Sequence, residues 1–551
     1  MTTAYAQHVS SKRTPQSEPI PLTTQVPNSA GGYAFPVDCW TRLDRFLVLG
    51  CADGTYYASE RKLTQEAAAC VLECAKASGA RTVTRITDIS QAGRAPKNDP
   101  AIFALALIAS QQGQEFAAAK ELALDAMPLV CRTGTHLFQF VAACNELRGW
   151  GRGLRTAIAK WYRSRSPEQT AYQVTKYQSR EGWSHRDLCR LSHPKCNEPL
   201  NSVLHWCVKG WPGIGEHPPE QAALVPIWAF ERAKAATTES EVVNLIREYN
   251  LPRECIPTQW LTSAAVWDAL LERMPLTAMV RNLATMTRVG LLAPLSAGTS
   301  RVLTELSNAD RIKQSRIHPV AILAAMLTYK AGRGERSQHT WTPVPQIVNA
   351  LDAAFYLSFG NVTATGKRWL LALDVSGSMN MGQIAGVPGL SPRVGSAALA
   401  LVTAAVEPLH HFVAFTSNGA CLRPSMHAGY PSGITPLTIS PRQRIDDVCN
   451  EVSRLPMGGT DCALPMLYAE QQGIPVDVFV VLTDNETWAG AIHPCQALRQ
   501  YRQRTGIPAK LVVVGMTATG FSIADPNDSG TLDVVGFDTA TPQLISDFAA
   551  N

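Results

Sequence analysis

The sequence contains no apolar run long enough to cross a lipid bilayer and no apolar leader. Its longest apolar stretches, such as residues 101–109, fall far short of the ~20 residues that a membrane-spanning helix needs. Charged residues make up only 17% of the chain, whereas hydrophobic residues make up 46%, which supports a sizeable core and excludes global disorder. We therefore expect a cytoplasmic globular protein without a membrane partner, preceded by a flexible N-terminal segment over residues 1–24.

Cysteine pairs and catalytic motifs are also absent. The 14 cysteines include no CxxC pair, and although Cys70 and Cys74 share one face of a predicted helix, no further zinc ligands lie near them in the sequence. Reduced, buried thiols are the expected state. No HExxH, GxSxG or Walker A motif occurs, so the sequence does not support catalysis.

The positive charge is concentrated in one part of the chain. The 551 residues carry a net charge of +5, but residues 1–366 hold 39 basic and 30 acidic side chains, and residues 367–551 hold 11 and 15. Between Arg148 and Lys195 there are eleven basic residues against three acidic ones, a net charge of +8. This stretch is the best candidate for a contact with a polyanion.

Aromatic side chains are interleaved with these basic residues. Trp150, Trp161, Tyr172, Tyr177 and Trp183 all fall in the basic stretch. Cationic side chains neutralise phosphates and aromatic rings stack on unpaired bases, so the mixture favours RNA with accessible single strands over duplex DNA. Two other interpretations stay open: the aromatics form the apolar stripes of helices, and the charges form a solvated face without nucleic acid.

The spacing of apolar residues divides the chain into two parts. From about residue 63 to residue 355, apolar residues recur at helical spacing between Gly, Pro and polar breaks, which predicts a degenerate helical-repeat body. From Gly366 onward, short continuous apolar runs alternate with amphipathic helices, the pattern of a doubly wound parallel α/β sheet. We therefore predict a helical domain over residues 25–365 and an α/β domain over residues 366–551.

Oxygen-bearing side chains follow the predicted strands of the second domain. The first strand leads into a DxSxS sequence, a GGTD sequence lies downstream, and VDVFVVLTD ends in a further aspartate. The predicted ligands are Asp374, Ser376, Ser378, Thr460 and Asp484. Because hydroxyl and carboxylate oxygens suit a small hard cation, we expect a divalent cation, most naturally Mg²⁺. The alternative is that the aspartates only cap turns at strand ends.

The metal pattern resembles the metal-ion-dependent adhesion site of von Willebrand factor A domains. Elsewhere, the segment KYQSREGWSHRDLCRLSH from Lys176 resembles the signature of TROVE domains in Ro autoantigen ribonucleoproteins. The segments GRAPKNDPAIFALAL from Gly93, CRTGTHLFQF from Cys131 and RIHPVAILAAMLTYKAGRG from Arg311 resemble the same family. The resemblance covers roughly residues 25–540.

This resemblance implies a ring of HEAT-like helical repeats closed by the A domain and acting as a monomer. It implies binding of small noncoding Y RNAs on an outer basic surface and of single-stranded ends of misfolded structured RNAs in a positively charged hole. It also implies a role in noncoding-RNA quality control and stress survival, in bacterial members by tethering RNA to a 3′-exonuclease such as polynucleotide phosphorylase. The RNA-binding residues expected on this basis are Lys176, Arg180, His185, Arg186, Arg190, Arg152, Arg155, Lys160, Arg132 and His136.

Two other functions compete with RNA binding. An A-domain adhesion or assembly protein would use the cation at Asp374 to bind an acidic protein partner. A metal-dependent nuclease would cleave RNA, but no general base accompanies the predicted ligands. We rank the nuclease last.

Overall fold

The computed structural model describes residues 13–50, 60–211, 215–334, 339–359, 364–381, 384, 390–417, 433–440 and 443–550. Up to residue 357 the chain is a succession of helices, as predicted. Their bounds are Cys39–Leu49, Glu60–Ala77, Gly79–Ala92, Asp99–Ser110, Ala117–Val130, Gly134–Leu147, Arg152–Arg163, Pro167–Lys176, His185–Ser192, Leu200–Lys209, Val225–Ala235, Glu239–Tyr249, Ala264–Leu271, Leu276–Arg288, Ala297–Ser307, Ala309–Ser315, Pro319–Ala331 and Pro345–Leu357. Short 3₁₀ turns occupy Gln114–Phe116, Ala222–Leu224, Arg253–Cys255 and Thr258–Thr262.

Side-chain caps define the starts of several of these helices. Ser184 accepts a hydrogen bond from the backbone N–H of Asp187, whose carboxylate accepts one in return from the backbone of Ser184. Ser166 and Gln169 form the same reciprocal pair at the start of Pro167–Lys176. Such capping boxes satisfy backbone donors that the first helical turn leaves free. Both caps lie in the basic stretch and therefore fix the frame that carries its cationic side chains.

The strands of the chain are β1 (Val26–Pro27), β2 (Tyr33–Pro36), β3 (Ser179–Arg180), β4 (Trp183–Ser184), β5 (Trp369–Asp374), β6 (His410–Phe415), β7 (Ile434–Leu437), β8 (Val478–Thr483), β9 (Lys510–Gly515), β10 (Phe521–Ser522) and β11 (Thr531–Val535).

The second part of the chain forms a six-stranded sheet in the order β11-β9-β8-β5-β6-β7. Strands β5, β6, β8, β9 and β11 run parallel, and β7 pairs antiparallel with β6 at one edge. The helices of this domain are Pro392–Val406, Ile445–Ser453, Leu464–Gln471, Pro494–Thr505 and Thr541–Ala550, with a 3₁₀ turn at Ser378–Asn380. Every residue of β5 and β8 is buried, because helices cover both faces of the sheet.

The segment over residues 13–36 packs on the α/β domain. Strand β2 pairs antiparallel with β10, and Gln16 is completely buried. This differs from the flexible segment predicted over residues 1–24, of which residues 1–12 lie outside the described part. The difference arises because Gln16 finds buried partners more than 400 residues away, which local composition does not reveal.

The helical body closes on itself. The Arg316 guanidinium donates a hydrogen bond to the carbonyl of Gln91 over 2.8 Å, and His318 lies 3.0 Å from the carbonyl of Arg94. The α/β domain contacts the body beside this closure, where Arg94 forms an ion pair with Asp538. It also contacts the other end of the helix Pro319–Ala331, where Lys330 forms an ion pair with Asp446. We call the region around Arg94, Arg316, His318 and Asp538 the seam.

Within the described residues, no helix is both long enough and apolar enough to span a membrane. The cysteines in that part of the chain are free thiols, and Cys70 donates to the carbonyl of Cys39 rather than pairing with another sulfur. No group of three or more His, Cys, Asp or Glu side chains among the described residues is arranged to hold a metal ion.

Candidate metal centre and nucleic-acid interface

The loop that leaves β5 brings three predicted ligands together. The carboxylate of Asp374 accepts a hydrogen bond from the backbone N–H of Ser376 over 2.9 Å, and the hydroxyls of Ser376 and Ser378 are 3.1 Å apart. All three side chains are at most 2% exposed. The loop lies at the carboxyl end of a central parallel strand, the usual ligand-binding edge of such a sheet.

Two further loops contact this one and carry the remaining ligands. The backbone N–H of Gly377 donates to the carbonyl of Gly458 over 3.0 Å, which brings the loop with Thr460 alongside. The hydroxyl of Thr483, at the end of β8, donates to the second oxygen of Asp374 over 2.6 Å, and Asp484 follows directly. Two strand ends and the loop between the helices Ile445–Ser453 and Leu464–Gln471 therefore bring Asp374, Asp484 and Thr460 to one buried region.

Two of the ligand atoms have no hydrogen-bond partner among the described residues. These are Oγ1 of Thr460 and Oδ2 of Asp484, both fully buried. Burying an oxygen without a partner costs free energy, so such atoms favour a bound ligand. The donor set fits a hard cation, because it consists of two carboxylates and three hydroxyls.

The acidic side chains at this site are held in an unfavourable environment. Burial, and then the nearby Asp484 carboxylate, raise the pKa of Asp374 to about 7. Burial, and then the same carboxylate, raise the pKa of Glu486 to about 8, and burial also raises the pKa of Asp484. A cation among these groups would relieve both the desolvation and the mutual repulsion.

Some neighbours of the site were not identified from the sequence. Glu486 is completely buried and accepts a hydrogen bond from the backbone of Ala30 over 3.0 Å. Arg393 is 1% exposed and donates to the carbonyl of Leu455, while its Nε and Nη1 atoms have no partner among the described residues. Glu486 lies two residues beyond a predicted ligand, which is a usable signal, whereas nothing in the sequence marks Arg393.

A cationic surface lies on two neighbouring helices of the body, Arg152–Arg163 and His185–Ser192. Leu154, Ile158, Trp161 and Tyr162 are the buried face of the first helix, so its arginines are exposed. We define the basic surface by four exposed residues that form no ion pair with any described residue: Arg152, Arg155, Arg186 and Arg190. Lys160 is exposed too, but it pairs with Asp125 over 2.7 Å. The structure thus brings five of the ten predicted RNA-binding residues to these two helices as exposed side chains.

The other predicted residues of the signature segment occupy different environments. Arg180 is exposed and pairs with Glu181, and Lys176 is half-buried, with its ammonium 3.0 Å from the hydroxyl of Tyr172. His185 is 3% exposed, and its Nδ1 atom lies 2.7 Å from the hydroxyl of Tyr162. The structure therefore places His185 in the interior beneath the basic surface. His193, which is not among the predicted RNA-binding residues, is exposed at the end of the same helix.

Arg132 and His136 line a cavity of about 900 Å³ between the early and late helices of the body, next to the seam. We call it the central cavity. Its lining carries four cationic side chains, Lys97, Arg132, Arg281 and Arg316, and one acidic side chain, Asp99. Burial, and then Arg132, lower the pKa of His136 to about 4, so this imidazole is neutral near pH 7. The cavity is cationic.

These features define a class: a closed helical-repeat body joined to an A-type α/β domain with a candidate cation site. The chain matches the TROVE domain over residues 26–328 and the Ro60 vWA domain over residues 368–549. It therefore belongs to the Ro60 family. The prediction of the family and of its two-domain fold is confirmed.

Individual relatives match over almost their whole length. The chain is 42% identical over 538 residues to the RNA-binding protein RO60 of Deinococcus radiodurans, covering 97% of both chains. It is 35% identical over 609 residues to the RNA-binding protein RO60 of Caenorhabditis elegans, covering 98% of this chain and 92% of the relative. The crystal structure of the Deinococcus radiodurans RO (RSR) protein is similar with a TM-score of 0.68, and the match covers 93% of this chain and 99% of that one.

Proposed function

We propose that this protein binds structured RNA that carries a single-stranded end and acts as a non-catalytic component of a ribonucleoprotein. The observation that carries the proposal is the basic surface, whose four arginines are exposed without acidic partners among the described residues. Guanidinium groups without carboxylate partners suit phosphate contacts, since each can donate two hydrogen bonds to one phosphate. The names of the two relatives, both RNA-binding proteins, support the same conclusion.

The two cationic regions are proposed to bind different parts of one RNA. The arginines of the basic surface are exposed, so they suit the phosphates of a duplex such as the stem of a small noncoding Y RNA. The central cavity holds about 900 Å³, and its walls suit an unpaired strand such as the end of a misfolded RNA. Further proposals are action as a monomeric ring, a role in noncoding-RNA quality control in the cytoplasm, and tethering of RNA to a 3′-exonuclease such as polynucleotide phosphorylase.

We also propose that Asp374, Ser376, Ser378, Thr460 and Asp484 hold a divalent cation, Mg²⁺ by donor chemistry. The unpartnered oxygens of Thr460 and Asp484 and the raised carboxylate pKa values support this assignment. A bound Mg²⁺ would supply positive charge at the edge of the sheet. This chain's own residues orient the site: Thr483 fixes the Asp374 carboxylate, and the backbone of Glu486 fixes the Asp484 carboxylate over 3.0 Å.

The same cation site supports a second candidate function, binding of an acidic group from a protein partner. The supporting observation is that the predicted ligands come from one edge of the sheet and include only two carboxylates. Asp374→Asn would then abolish capture of that partner, while RNA affinity would stay unchanged. Loss of RNA binding in this variant at unchanged stability would instead show that the cation site also contributes to RNA binding.

Crosslinking and sequencing of RNA bound to the protein in its own cell tests the primary proposal. We expect enrichment of small structured RNAs with unpaired ends. The charge-reversal variant Arg186→Glu/Arg190→Glu should lose this RNA, because both residues lie on the basic surface. The variant Arg273→Glu/Arg454→Glu, which reverses two exposed arginines elsewhere, is the matched control and should keep it. Equal RNA recovery from both variants would contradict the proposal.

A further inference from the structure

A second, smaller pocket of about 530 Å³ opens beside the central cavity. Its lining residues are Arg132, Arg165, Glu168, Gln169, Tyr172 and Gln173. Arg165 and Tyr172 belong to the basic stretch, but Arg132 is the one lining residue that was predicted individually to bind RNA. We call this feature the Arg165 pocket. Its chemistry differs from that of the basic surface, because its cationic groups are partly buried and rigidly held.

Arg165 is fixed by backbone carbonyls and by an aromatic ring. Its guanidinium stacks on Trp161 at 3.9 Å from the ring centroid and donates to the carbonyl of Trp161 over 2.8 Å and to that of Cys131 over 3.1 Å. No carboxylate of a described residue pairs with it. Burial lowers the pKa of Arg165 to about 10, which leaves it charged at neutral pH. An arginine held in this way keeps an uncompensated positive charge in a defined orientation.

Arg132 joins this pocket to the central cavity, since it lines both. Its Nη1 atom donates to the carbonyl and the hydroxyl of Ser90 over 2.9 and 2.8 Å, and no described carboxylate pairs with it. Burial, and then the charge of Arg316, lower the pKa of Arg132. The Arg165 pocket therefore contains two guanidinium groups that are held by hydrogen bonds and form no ion pair with a described residue, and one of them, Arg132, also lines the central cavity.

Tyr172 is the aromatic side chain in the lining of the Arg165 pocket. It lies on Pro167–Lys176, the helix that leads into the signature segment. The ammonium of Lys176 is 5.2 Å from the centroid of the Tyr172 ring and forms a cation–π contact with it. A phenol ring beside two arginines is the combination that binds a base and its phosphate in single-stranded nucleic acids. Glu168, the one acidic lining residue, is exposed, and solvent screens its charge.

We propose that the Arg165 pocket binds one unpaired nucleotide of an RNA strand as it passes from the basic surface into the central cavity. Arg165 and Arg132 contact the phosphate, and Tyr172 stacks on the base. This assignment rests on the proposed RNA-binding function and adds a subsite that acts only on the single-stranded part of the ligand. A blunt duplex does not reach it.

The test compares two synthetic RNAs that share one hairpin, one blunt and one with a single-stranded 3′ tail. The dissociation constants are measured for the full-length protein and for Arg165→Gln, Arg165→Lys and Arg132→Gln. Each change to Gln should weaken binding of the tailed RNA about tenfold, since a charged hydrogen bond is lost, and leave the blunt RNA unchanged. Arg165→Lys, which keeps the charge, should weaken binding of the tailed RNA less than Arg165→Gln does. The salt dependence for the tailed RNA should fall by about 0.7 in slope per lost contact.

The controls separate this inference from the function on which it rests. Arg155→Gln, on the basic surface, should weaken binding of both RNAs alike, and unchanged blunt-hairpin binding shows that the pocket variants are folded. If wild type bound neither RNA, the proposed function itself would fail. If wild type preferred the tailed RNA and Arg165→Gln kept that preference, the subsite would be refuted while the function stood. Displacement of the tailed RNA by free uridine monophosphate at an equal concentration would likewise refute it in favour of a free-nucleotide site.

Discussion

Individual buried ionisable residues control the energetics of the candidate metal centre. Asp374, Asp484 and Glu486 are all completely buried, and their carboxylates have raised pKa values. Without a cation they destabilise the fold, because burial disfavours ionisation of all three and the Asp484 charge disfavours ionisation of Asp374 and Glu486. A cation that binds only the folded chain would convert this cost into stability.

This balance predicts the behaviour of Asp374→Asn. In the presence of a chelator the variant should unfold at a temperature equal to or above that of wild type, because one repulsive charge is gone. Addition of Mg²⁺ should raise the Tm of wild type and leave that of the variant unchanged. Thermal unfolding with and without Mg²⁺ measures both effects, with Asp547→Asn, an exposed carboxylate, as the control. An equal Mg²⁺ shift in all three proteins would contradict the site.

A single histidine at the seam predicts a pH dependence of stability. The backbone of Val320 donates to Nδ1 of His318 over 3.1 Å, and Nε2 faces the carbonyl of Arg94. Burial lowers the pKa of His318 to about 4, whereas Asp538 opposes the shift. Between pH 6.5 and pH 4 the unfolded state therefore binds a proton that the folded state does not, so stability is lost as the pH falls.

The free energy of unfolding of wild type should drop by about 2 kcal/mol from this residue between pH 7.5 and pH 5. The variant His318→Asn keeps a cap for the helix Pro319–Ala331 but cannot titrate, so its drop should be smaller by that amount. Urea unfolding at both pH values measures the difference. Identical pH profiles for the two proteins would show that His318 is not buried neutral.

At the scale of elements, the N-terminal segment over residues 13–36 acts as a clamp on the loops that carry the predicted metal ligands Thr460 and Asp484. Gln16 donates to the carboxylate of Asp461 over 2.7 Å and accepts hydrogen bonds from Thr487 and Gly490. Asp461 follows one predicted ligand, and Thr487 lies three residues after another. Gly32 lies so close to this loop that an added Cβ would be 2.0 Å from the carbonyl oxygen of Thr487. The segment and both loops therefore form one unit.

Removal of these hydrogen bonds should destabilise the α/β domain. Gln16→Met keeps the volume of the side chain but removes one buried donor to the Asp461 carboxylate and the buried acceptor of the Thr487 hydroxyl, at a cost of about 1–3 kcal/mol. Chemical denaturation measures the change in the free energy of unfolding. Arg13→Ala removes an exposed hydrogen bond to Gln500 in the same segment and should have little effect. A Gln16→Met protein as stable as wild type would rule out the clamp.

Sequence patterns predicted the helices and strands better than they predicted which side chains are buried and what they contact. The side chains of the candidate metal centre could be selected from the sequence because each lies at or after a buried apolar run or a Gly-Gly turn, and the structure brings these segments together. The basic helices could be located by charge. The burial of His185 could not be predicted, because its motif is equally compatible with a surface segment and with the capped start of a helix. Gln16 was missed because its partners are remote in the chain.

At the scale of the whole molecule, contacts at the seam decide whether the body stays closed. Arg94 and Asp538 form an ion pair there with 21% and 4% of their side chains exposed. The two residues are 444 positions apart, so no local pattern predicts the contact. The closure in turn forms the central cavity, whose lining includes residues on both sides of the seam.

Asp538→Asn should therefore weaken the seam by about 3 kcal/mol, because the largely buried Arg94 loses its counter-charge. Hydrogen exchange should become faster at residues 89–94 and 315–318. Asp528→Asn breaks a partly buried ion pair inside the α/β domain, in which 23% of Arg502 and 20% of Asp528 are exposed, and serves as the control. If the control accelerated exchange at the seam equally, the effect would be global and the seam would not open independently.

The central claim, that the cationic surface binds RNA, is tested most directly by the salt dependence of affinity. The dissociation constant for a hairpin RNA with a single-stranded tail is measured for purified wild type and for Arg186→Glu/Arg190→Glu over a range of salt concentrations. The account predicts that the logarithm of the wild-type association constant falls linearly with the logarithm of salt, by about 0.9 per duplex phosphate contacted. The variant should bind more weakly and with a shallower slope. Wild-type affinity that is independent of salt, or identical slopes for the two proteins, would contradict it.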